Sequence, residues 1–375
     1  MGWIESEIAD RGGEIPFAEY MQLALYHPLH GYYSSCTPRY GRHGDFLTAP
    51  TASPWYARVL AHLLTHLAVR VGPVTVVDLA AGDGLFASEL LAALNGQSTT
   101  VLSRLVLVEQ SRAMRRRAAA LVGGDVEVEA GLADARRPFG PVVLHASELF
   151  DAIPVDRVVA GQDGLEELWV AVDEAGELAW RRRAARAEVE AYFADHGITL
   201  AMGQVAEARR QAAATYRSHL EWAGDNAVDL VLDYGYGAAR LYNHRGKAQG
   251  SLVCYSRHEL ARDPLQRPGE CDITAHVNWD DLRRSARSAG WCELGCYQLA
   301  ELLVRAGLAT VLQRYGLGEE VEIDSDTYAV RQEVKRLLDP DGMGADLKAL
   351  IHGQGALAQA LAEILSSGAG LPGRS

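Results

Sequence analysis

Apolar residues follow a helical period near the N-terminus of the chain. Residues 16–26 place them three and four positions apart, which predicts an amphipathic helix with Pro16 at its first position. Ser53 and Pro54 match a helix cap followed by proline, and the roughly fifteen residues after them predict a second helix. Between these helices, residues 41–50 are rich in turn formers and indicate a loop.

The pattern changes at residue 74, where short apolar runs begin to alternate with helical spacing. Three runs have the β-branched and aliphatic content of buried strands, and they begin at residues 74, 104 and 141. The segments between them predict one helix ending at Gly96 and another capped by Ser111. Strand, helix, strand, helix and strand in this order indicate a parallel sheet with right-handed crossovers.

A different organisation follows residue 154. Residues 155–182 contain three alternating runs split by turns, which predicts an antiparallel meander. Residues 184–222 are rich in Ala, Glu and Arg and predict helix, and residues 227–237 predict another buried strand. The rest predicts strands in SLVCYS, CDITAHVNW and CELGCYQL, a helix capped by Asp280, and a helix near 322–338 that ends before Pro340.

Composition limits the class of protein. The 375 residues include 36 basic and 49 acidic side chains, a net charge of −13, which argues against a general nucleic-acid binder or a polybasic membrane-surface protein. The five dispersed cysteines do not form a disulfide framework and fit a reducing compartment. Because no transmembrane or basic targeting segment is evident, we expect no membrane insertion and a cytoplasmic location.

A glycine-containing turn between the first strand and its helix carries candidate chemistry. A dinucleotide fingerprint needs glycine at 80, 82 and 85, but the chain has Ala80, Gly82 and Leu85. Asp78 suits a ligand with a cationic amino-acid end, and Glu109, 25 residues after Gly84, can accept both ribose hydroxyls of an adenosine. The turn therefore favours S-adenosyl-L-methionine (SAM) over NAD, the alternative being a tight turn with a surface acid.

A second candidate segment follows the strand at 141–146. Ligands of open parallel sheets bind beyond the carboxyl ends of the strands, so this segment is expected beside the glycine turn. Glu148 and Asp151, with Phe150 and Pro154 beside them, form a plausible substrate wall. The two acids could equally cap the start of a helix.

Several segments together resemble the MidA family of class I SAM-dependent methyltransferases. They are PFAEYMQLALYHPLHGYY, GRHGDFLTAP, VVDLAAGDG, ELFDAIPV, LVLDYGYG, CDITAHVNW and GMGADLKAL, and they run in family order from about residue 15 to residue 350. The family includes a mitochondrial complex I assembly factor described as a protein arginine methyltransferase. The chain departs from the family at Ser147, often Asn, at Thr51, often Glu, and at Ala80-Ala81, where another Gly or Pro is usual.

The resemblance implies a set of site residues. The expected cofactor-binding residues are Gly44, Asp45, Phe46, Thr48, Asp78, Ala80, Gly82, Gly84, Glu109, Gln110 and Glu148. The expected catalytic residues are Glu148, Asp151, Asp45 and His43, with His43 as a candidate base. The expected substrate-binding residues are Phe150, Pro154, Tyr234 and His276, and no metal is expected.

The resemblance also implies an architecture. It is an α/β, Rossmann-like class I methyltransferase sheet with an N-terminal helical lid and an inserted antiparallel β and helical substrate subdomain. The expected parts are a lid at 1–70 that contributes the GDF loop (residues 41–50), a SAM-binding core at 71–154 and 226–355, and an inserted substrate or dimerisation subdomain at 155–225. The composition of the tail at 366–375 separately predicts disorder.

The expected function is methyl transfer from SAM to a side-chain nitrogen, arginine, of a protein or peptide. One alternative is an N- or O-methyltransferase of a small molecule or modified peptide, because a fold does not fix its substrate. Another is a SAM-binding assembly factor with little catalytic activity. No nucleic-acid partner is expected, and a homodimer stays open.

Overall fold

The structure is a computed structural model that describes residues 2–34, 49–124, 126–256, 259–261, 263–317 and 325–367. The helices are α1 (Trp3–Asp10), α2 (Phe17–Tyr26), α3 (Ala49–Ala52), α4 (Pro54–Val71), α5 (Leu85–Leu94), α6 (Arg112–Val122), α7 (Ala187–Asp195), α8 (Arg210–Ala223), α9 (Ala238–Leu241), α10 (His244–Lys247), α11 (Trp279–Ser288), α12 (Leu299–Arg305), α13 (Leu308–Arg314), α14 (Ser325–Leu338), α15 (Met343–Asp346) and α16 (Gly355–Ser367). The strands are β1 (Glu14–Pro16), β2 (Val74–Leu79), β3 (Leu102–Val108), β4 (Glu127–Glu129), β5 (Val142–Ser147), β6 (Asp156–Ala160), β7 (Leu165–Val172), β8 (Leu178–Ala184), β9 (Val205–Ala208), β10 (Ala227–Tyr236), β11 (Leu252–Ser256), β12 (Glu259–Ala261), β13 (Asp272–Ala275), β14 (Val277–Asn278), β15 (Cys292–Gln298) and β16 (Leu347–Gln354).

These elements form two units that alternate along the chain. The described residues of the first unit lie within Met1–Pro38, Phe150–Arg217 and Gly235–Ser285. Those of the second unit lie within Arg39–Leu149, Ser218–Tyr234 and Ala286–Ser375. Neither unit is a continuous stretch of sequence.

The second unit is built on a sheet with the strand order β4-β3-β2-β5-β10-β16-β15. The neighbours from β4 to β10 pair in parallel, whereas β16 runs antiparallel to both β10 and β15. The parallel core predicted from the alternating pattern is therefore confirmed. Because β2 lies between β3 and β5, the strand order reverses between β2 and β5. This position is the switch point of the sheet, and open sheets of this kind bind ligands there.

One face of this sheet is covered by helices with continuous apolar surfaces. Trp55, Leu60, Leu64 and Leu67 of α4 are buried with residues of α5, α12 and α16 against alternate positions of β2, β5, β10 and β16. The α4 helix begins as expected, because the backbone N–H of Trp55 donates to the Ser53 hydroxyl at 3.2 Å. Beneath these helices β2 pairs in parallel with β5, and the register places Asp78 beside His145.

The first unit contains two smaller antiparallel sheets. One has the order β1-β7-β6-β9 with β8 also paired to β7, and the other has the order β12-β11-β13. The meander predicted over 155–182 is confirmed as β6, β7 and β8. The last two residues of β10 also belong to this unit, where they pair in parallel with β14.

Three local expectations were wrong. The helix predicted over 184–222 is interrupted by β9 (Val205–Ala208). The backbone hydrogen bonds that β9 forms with β6 outweigh the local helix propensity of these residues. Pro16 belongs to β1 and precedes α2, so it is not the first residue of the helix. Asp280 lies inside α11, where its carboxylate accepts from the backbone N–H of Ala238 at 2.8 Å instead of capping the helix.

The end of the chain is only partly described. The α16 helix continues through Ser366 to Ser367, which the sequence assigned to the tail, and residues 368–375 lie outside the described residues. In the parts of the chain with described placement, no helix is both long enough and apolar enough to cross a membrane.

Candidate cofactor and active site

The turn after β2 is shaped by three left-handed residues. Ala80, Gly82 and Gly84 have φ of 57°, 58° and 82°, and Gly84 precedes the first residue of α5. A Cβ at Gly82 would meet nothing within 4 Å, whereas a Cβ at Gly84 would lie 2.9 Å from Cα and Cβ of Ala118. Gly82 therefore gives the turn an open backbone surface, and Gly84 permits close packing between α5 and α6.

Glu109, which directly follows β3, is hydrogen-bonded to this turn. One carboxylate oxygen accepts from the backbone N–H of Gly82 at 2.9 Å, and the other accepts from Ser111 at 2.6 Å. Burial raises the pKa of Glu109 to about 7, although those backbone donors and Arg115 act in the opposite direction. Each carboxylate oxygen still has a lone pair for a ligand hydroxyl, and the adjacent Gln110 is exposed.

Asp78 is buried in the penultimate position of β2 and is 3% exposed. Its Oδ1 lies 2.8 Å from Nδ1 of His145, and Nε2 of His145 lies 2.9 Å from the hydroxyl of Tyr56. The Oδ2 atom has no hydrogen-bond partner among the described residues. An acid in this state can accept from a cationic ligand group at the switch point of the sheet.

Sequence reasoning missed Tyr56 and His145. Tyr56 fits the apolar spacing of a core helix, and His145 stands inside a run that predicts a buried strand. The available signal was that two neighbouring and mainly apolar strands each contain one ionisable residue near the end, and these are Asp78 and His145.

The segment after β5 begins with a second strained residue. Glu148 has φ of 51°, and its backbone N–H donates to the carbonyl of Leu232 at 2.8 Å. Among the described residues, Ala80 and Glu148 are the non-glycine residues with positive φ, and they follow the adjacent strands β2 and β5. Such strain concentrates at functional sites, so its position agrees with the switch point.

The remaining predicted residues of this segment belong to the first unit. Phe150, Asp151 and Pro154 are buried there. The carbonyl of Asp151 accepts from Ala275 at 2.9 Å, and the ring of Phe150 meets Tyr216 edge-on at 5.5 Å. The structure thus brings Asp151 to the end of β13, which directly precedes His276.

His276 belongs to the first unit and Tyr234 to the second. The Nδ1 atom of His276 lies 3.3 Å from the Lys247 ammonium, and its ring meets Tyr236 edge-on at 5.2 Å. Tyr234 ends the part of β10 that belongs to the second unit, and its N–H donates to Asp233 at 2.8 Å.

The predicted residues of the GDF loop, His43, Gly44, Asp45, Phe46 and Thr48, lie outside the described residues. Within the described parts, no group of three or more His, Cys, Asp or Glu side chains is arranged to hold a metal ion.

The residues of the second unit fit the cofactor that the sequence predicted. The open turn at Gly82, the carboxylate of Glu109 and the buried Oδ2 of Asp78 would meet a nucleoside with a cationic amino-acid end. A pyrophosphate would instead face two acids, which like-charge repulsion disfavours.

Comparisons with known proteins agree. Residues 56–297 match the model of a family of S-adenosyl-L-methionine-dependent methyltransferases. The chain is 32% identical to a COG1565 superfamily protein from Burkholderia thailandensis whose crystal structure contains S-adenosyl-homocysteine, with a TM-score of 0.81 and coverage of 95% of this chain and 92% of that one.

Curated relatives are more distant. The chain is 26% identical to the mitochondrial protein arginine methyltransferase NDUFAF7 homolog of Drosophila melanogaster, over 92% of this chain and 83% of that protein. It is also 26% identical to the mitochondrial NDUFAF7 of Xenopus laevis, over 90% of this chain and 80% of that one. With the fold and the family model, these matches confirm the resemblance drawn from the motifs: the chain belongs to the MidA family of class I SAM-dependent methyltransferases, and its cofactor is S-adenosyl-L-methionine.

Proposed function

We propose that this methyltransferase modifies a side-chain nitrogen of arginine in a protein or peptide. The observation that carries the proposal is Glu148, an acid in a left-handed conformation directly after β5. A non-glycine residue in this conformation costs about 1–2 kcal/mol, so a glutamate there suggests that the carboxylate position itself is required. The names of the curated relatives support the same acceptor.

The cofactor supplies an electrophilic methyl group on a sulfonium. We assign its binding to Asp78, Ala80, Gly82, Gly84, Glu109, Gln110 and Glu148, together with Gly44, Asp45, Phe46 and Thr48 of the GDF loop. Glu109 would accept from the ribose hydroxyls, and the glycine turn would let the backbone approach the nucleoside closely.

The acidic residues would act on the acceptor. A guanidinium has a pKa above about 12 and is a poor nucleophile while its charge is delocalised. Carboxylates that hold two of its N–H groups can localise a lone pair on the third nitrogen and orient it for in-line attack. We assign this role to Glu148 and Asp151, with Asp45 assisting and His43 as the candidate base.

Four further residues would shape the acceptor site. Phe150 and Pro154 are buried, and Tyr234 and His276 are half-buried. We propose that they contact the acceptor chain, because aromatic faces suit the aliphatic and planar parts of an arginine side chain.

Incubation with radiolabelled SAM, arginine-rich peptides and a whole-cell lysate that keeps its small molecules tests the proposal. Replacing Glu148 with Gln or Asp151 with Asn should lower methyl transfer at least about 100-fold, because the carboxylate charge is lost while shape is kept. The control is Glu174→Gln, which removes an exposed acid in the turn between β7 and β8. Mass spectrometry should place the label on arginine.

Other outcomes favour the alternatives. The departures at Ser147 and Thr51, residues placed by the family pattern near the acceptor, favour an N- or O-methyltransferase of a small molecule or modified peptide. Label recovered only in small molecules would support that function and contradict the arginine acceptor. SAM binding without transfer to any acceptor would support an assembly factor, and full transfer by both variants would remove the carboxylate role.

A further inference from the structure

Three buried side chains of the second unit form one hydrogen-bonded triad, which consists of Tyr56, His145 and Asp78. They come from α4, β5 and β2, and they are 0%, 1% and 3% exposed. The two distances along the triad are 2.9 Å and 2.8 Å, and both are ordinary hydrogen-bond lengths.

The chemistry of the three groups fixes where the protons lie. The carboxylate of Asp78 can only accept, so Nδ1 of His145 carries the hydrogen that joins them. In a neutral imidazole Nε2 is then an acceptor, and the Tyr56 hydroxyl donates to it. Burial and the charge of Asp78 hold the pKa of Tyr56 well above its usual range, which keeps this donor protonated. The Tyr56 hydroxyl and Nδ1 of His145 are therefore the donors of the triad, and the carboxyl group of Asp78 is its terminal acceptor.

The imidazole is also held by ring packing. Phe86, in the first turn of α5, stacks on His145 with ring centroids 4.4 Å apart and an interplanar angle of 26°. Tyr56 contacts both rings, with centroid distances of 5.7 Å to Phe86 and 5.8 Å to His145. His145 is thus fixed in rotation as well as in proton position.

The arrangement leaves one acceptor unused. Oδ1 of Asp78 is occupied by His145, whereas Oδ2 is buried and has no partner among the described residues. A buried carboxylate oxygen without a donor is costly, and a ligand bound at this turn would supply the missing donor. Asp78 stands two residues before Ala80, at the entrance of the glycine turn, where the cofactor site is proposed.

We infer that Tyr56 and His145 are positioning residues that hold the carboxylate of Asp78 so that Oδ2 receives the ammonium group of the cofactor's amino-acid end. The inference rests on the proposed role of Asp78 in cofactor binding. It extends that role to two residues outside the glycine turn. A purely structural triad would stabilise the core without distinguishing one part of the cofactor from another.

Binding of three ligands separates these cases by calorimetry. S-adenosyl-homocysteine carries the whole amino-acid end, its decarboxylated analogue keeps the ammonium, and 5′-methylthioadenosine lacks both groups. His145→Phe retains an aromatic ring but removes both nitrogens, and Tyr56→Phe removes only the hydroxyl. Each should weaken the two ammonium-containing ligands, His145→Phe by about tenfold, and leave 5′-methylthioadenosine within about twofold.

Three further variants complete the comparison. His145→Asn keeps a donor where Nδ1 lies and should restore part of the lost affinity. Asp78→Asn should show the same ligand selectivity as His145→Phe. Glu109→Gln should weaken all three ligands, because the ribose is common to them.

The outcomes distinguish the inference from its premise. Equal weakening of all ligands by His145→Phe, or no weakening of any, overturns the positioning role. If Asp78→Asn weakens all three ligands equally, the proposed role of Asp78 fails as well. If Asp78→Asn selectively weakens the ammonium-containing ligands and His145→Phe does not, only the positioning role of Tyr56 and His145 fails. The arginine acceptor is not involved in any of these measurements.

A spectroscopic measurement covers the case in which His145→Phe does not fold. In wild-type protein with ¹⁵N-labelled histidine, the His145 resonance should show a protonated Nδ1 and an unprotonated Nε2. S-adenosyl-homocysteine should shift this resonance and 5′-methylthioadenosine should not. The opposite tautomer, or equal shifts with both ligands, would contradict the inference.

Discussion

Ala80 and Glu148 show at the scale of single residues where this protein departs from low-energy backbone geometry. Each has a φ that glycine adopts without strain, and each directly follows one of the two strands that flank the switch point. The carboxyl ends of these strands could be predicted from the sequence, because buried-strand patterns locate them. The strain could not, since nothing in the sequence marks an alanine or a glutamate that follows a strand as left-handed.

Glu109 gives a prediction about pH at the same scale. Because burial raises its pKa to about 7, roughly nine-tenths of the side chains are ionised at pH 8 and one-tenth at pH 6. If the ionised form accepts the ribose hydroxyls, the apparent dissociation constant for S-adenosyl-homocysteine should rise about tenfold from pH 8 to pH 6. Isothermal titration calorimetry across this range measures it.

The control for this prediction is Glu109→Gln. Its side chain does not titrate, so its affinity should be weaker at pH 8 and nearly constant across the range. An equal pH dependence in this variant would assign the titration to another group. Tighter binding by the wild type at pH 6 would contradict the role of the ionised form.

Some residues of the site could be predicted from the sequence and others could not. Asp78 and Glu109 were predicted because an acid at the end of a strand has a recognisable chemical use. Tyr56 and His145 were not, because a tyrosine at helical spacing and a histidine in an apolar run look like core residues. Only the register of β2 with β5 places His145 beside Asp78.

At the scale of secondary-structure elements, the two glycines of the turn differ in what they require. Gly84→Ala would combine a positive φ with a Cβ 2.9 Å from the backbone of Ala118, whereas Gly82→Ala would introduce only the strained φ. We expect Gly84→Ala to lower the free energy of unfolding by about 2–4 kcal/mol and Gly82→Ala by about 1 kcal/mol.

Chemical denaturation of both glycine variants, with the wild type alongside, measures the difference. Each variant controls for the other, because both add one methyl group to a left-handed glycine of the same turn. Equal destabilisation would mean that α5 and α6 move apart to accept the Gly84 methyl, and would contradict close packing as the reason for that glycine.

Elements were predictable where local pattern and tertiary pairing agree. The parallel strands β2, β3 and β5 and the cap of α4 by Ser53 follow from periodicity and cap chemistry, and the structure confirms them. The strand β9 was missed because its residues, VAEA, have no strand pattern of their own. Pairing with β6 determines their conformation, and no local rule contains that information.

At the scale of the whole molecule, the chain passes back and forth between the two units. Each unit collects three separate segments, so folding must pair residues far apart in sequence. The return of the core after the insertion was predicted from the buried strand at 227–237. The extent of the first unit was not, because its N-terminal strand β1 pairs with β7, more than 150 residues later.

The stability of the whole molecule should depend on one carboxyl group in the centre of the main sheet. Asp229 of β10 is fully buried, neither of its oxygens has a hydrogen-bond partner among the described residues, and burial raises its pKa to about 8. Its register partners are Leu144 of β5 and His352 of β16. In the unfolded chain the same group titrates near its ordinary value of about 4.

The folded protein therefore holds a proton on Asp229 that the unfolded chain releases between about pH 4 and pH 8. Unfolding is favoured as pH rises through this window, by up to about 1.4 kcal/mol per pH unit, and the effect is constant outside it. Asp229→Asn stays neutral, so its free energy of unfolding relative to wild type should increase from pH 5 to pH 8. Denaturation at several pH values, with the exposed Asp225→Asn as control for net charge, measures this difference. If the free energy of unfolding of Asp229→Asn relative to wild type stays constant or falls as pH rises, Asp229 is ionised in the folded state. His352 or another neighbour would then have to compensate its charge.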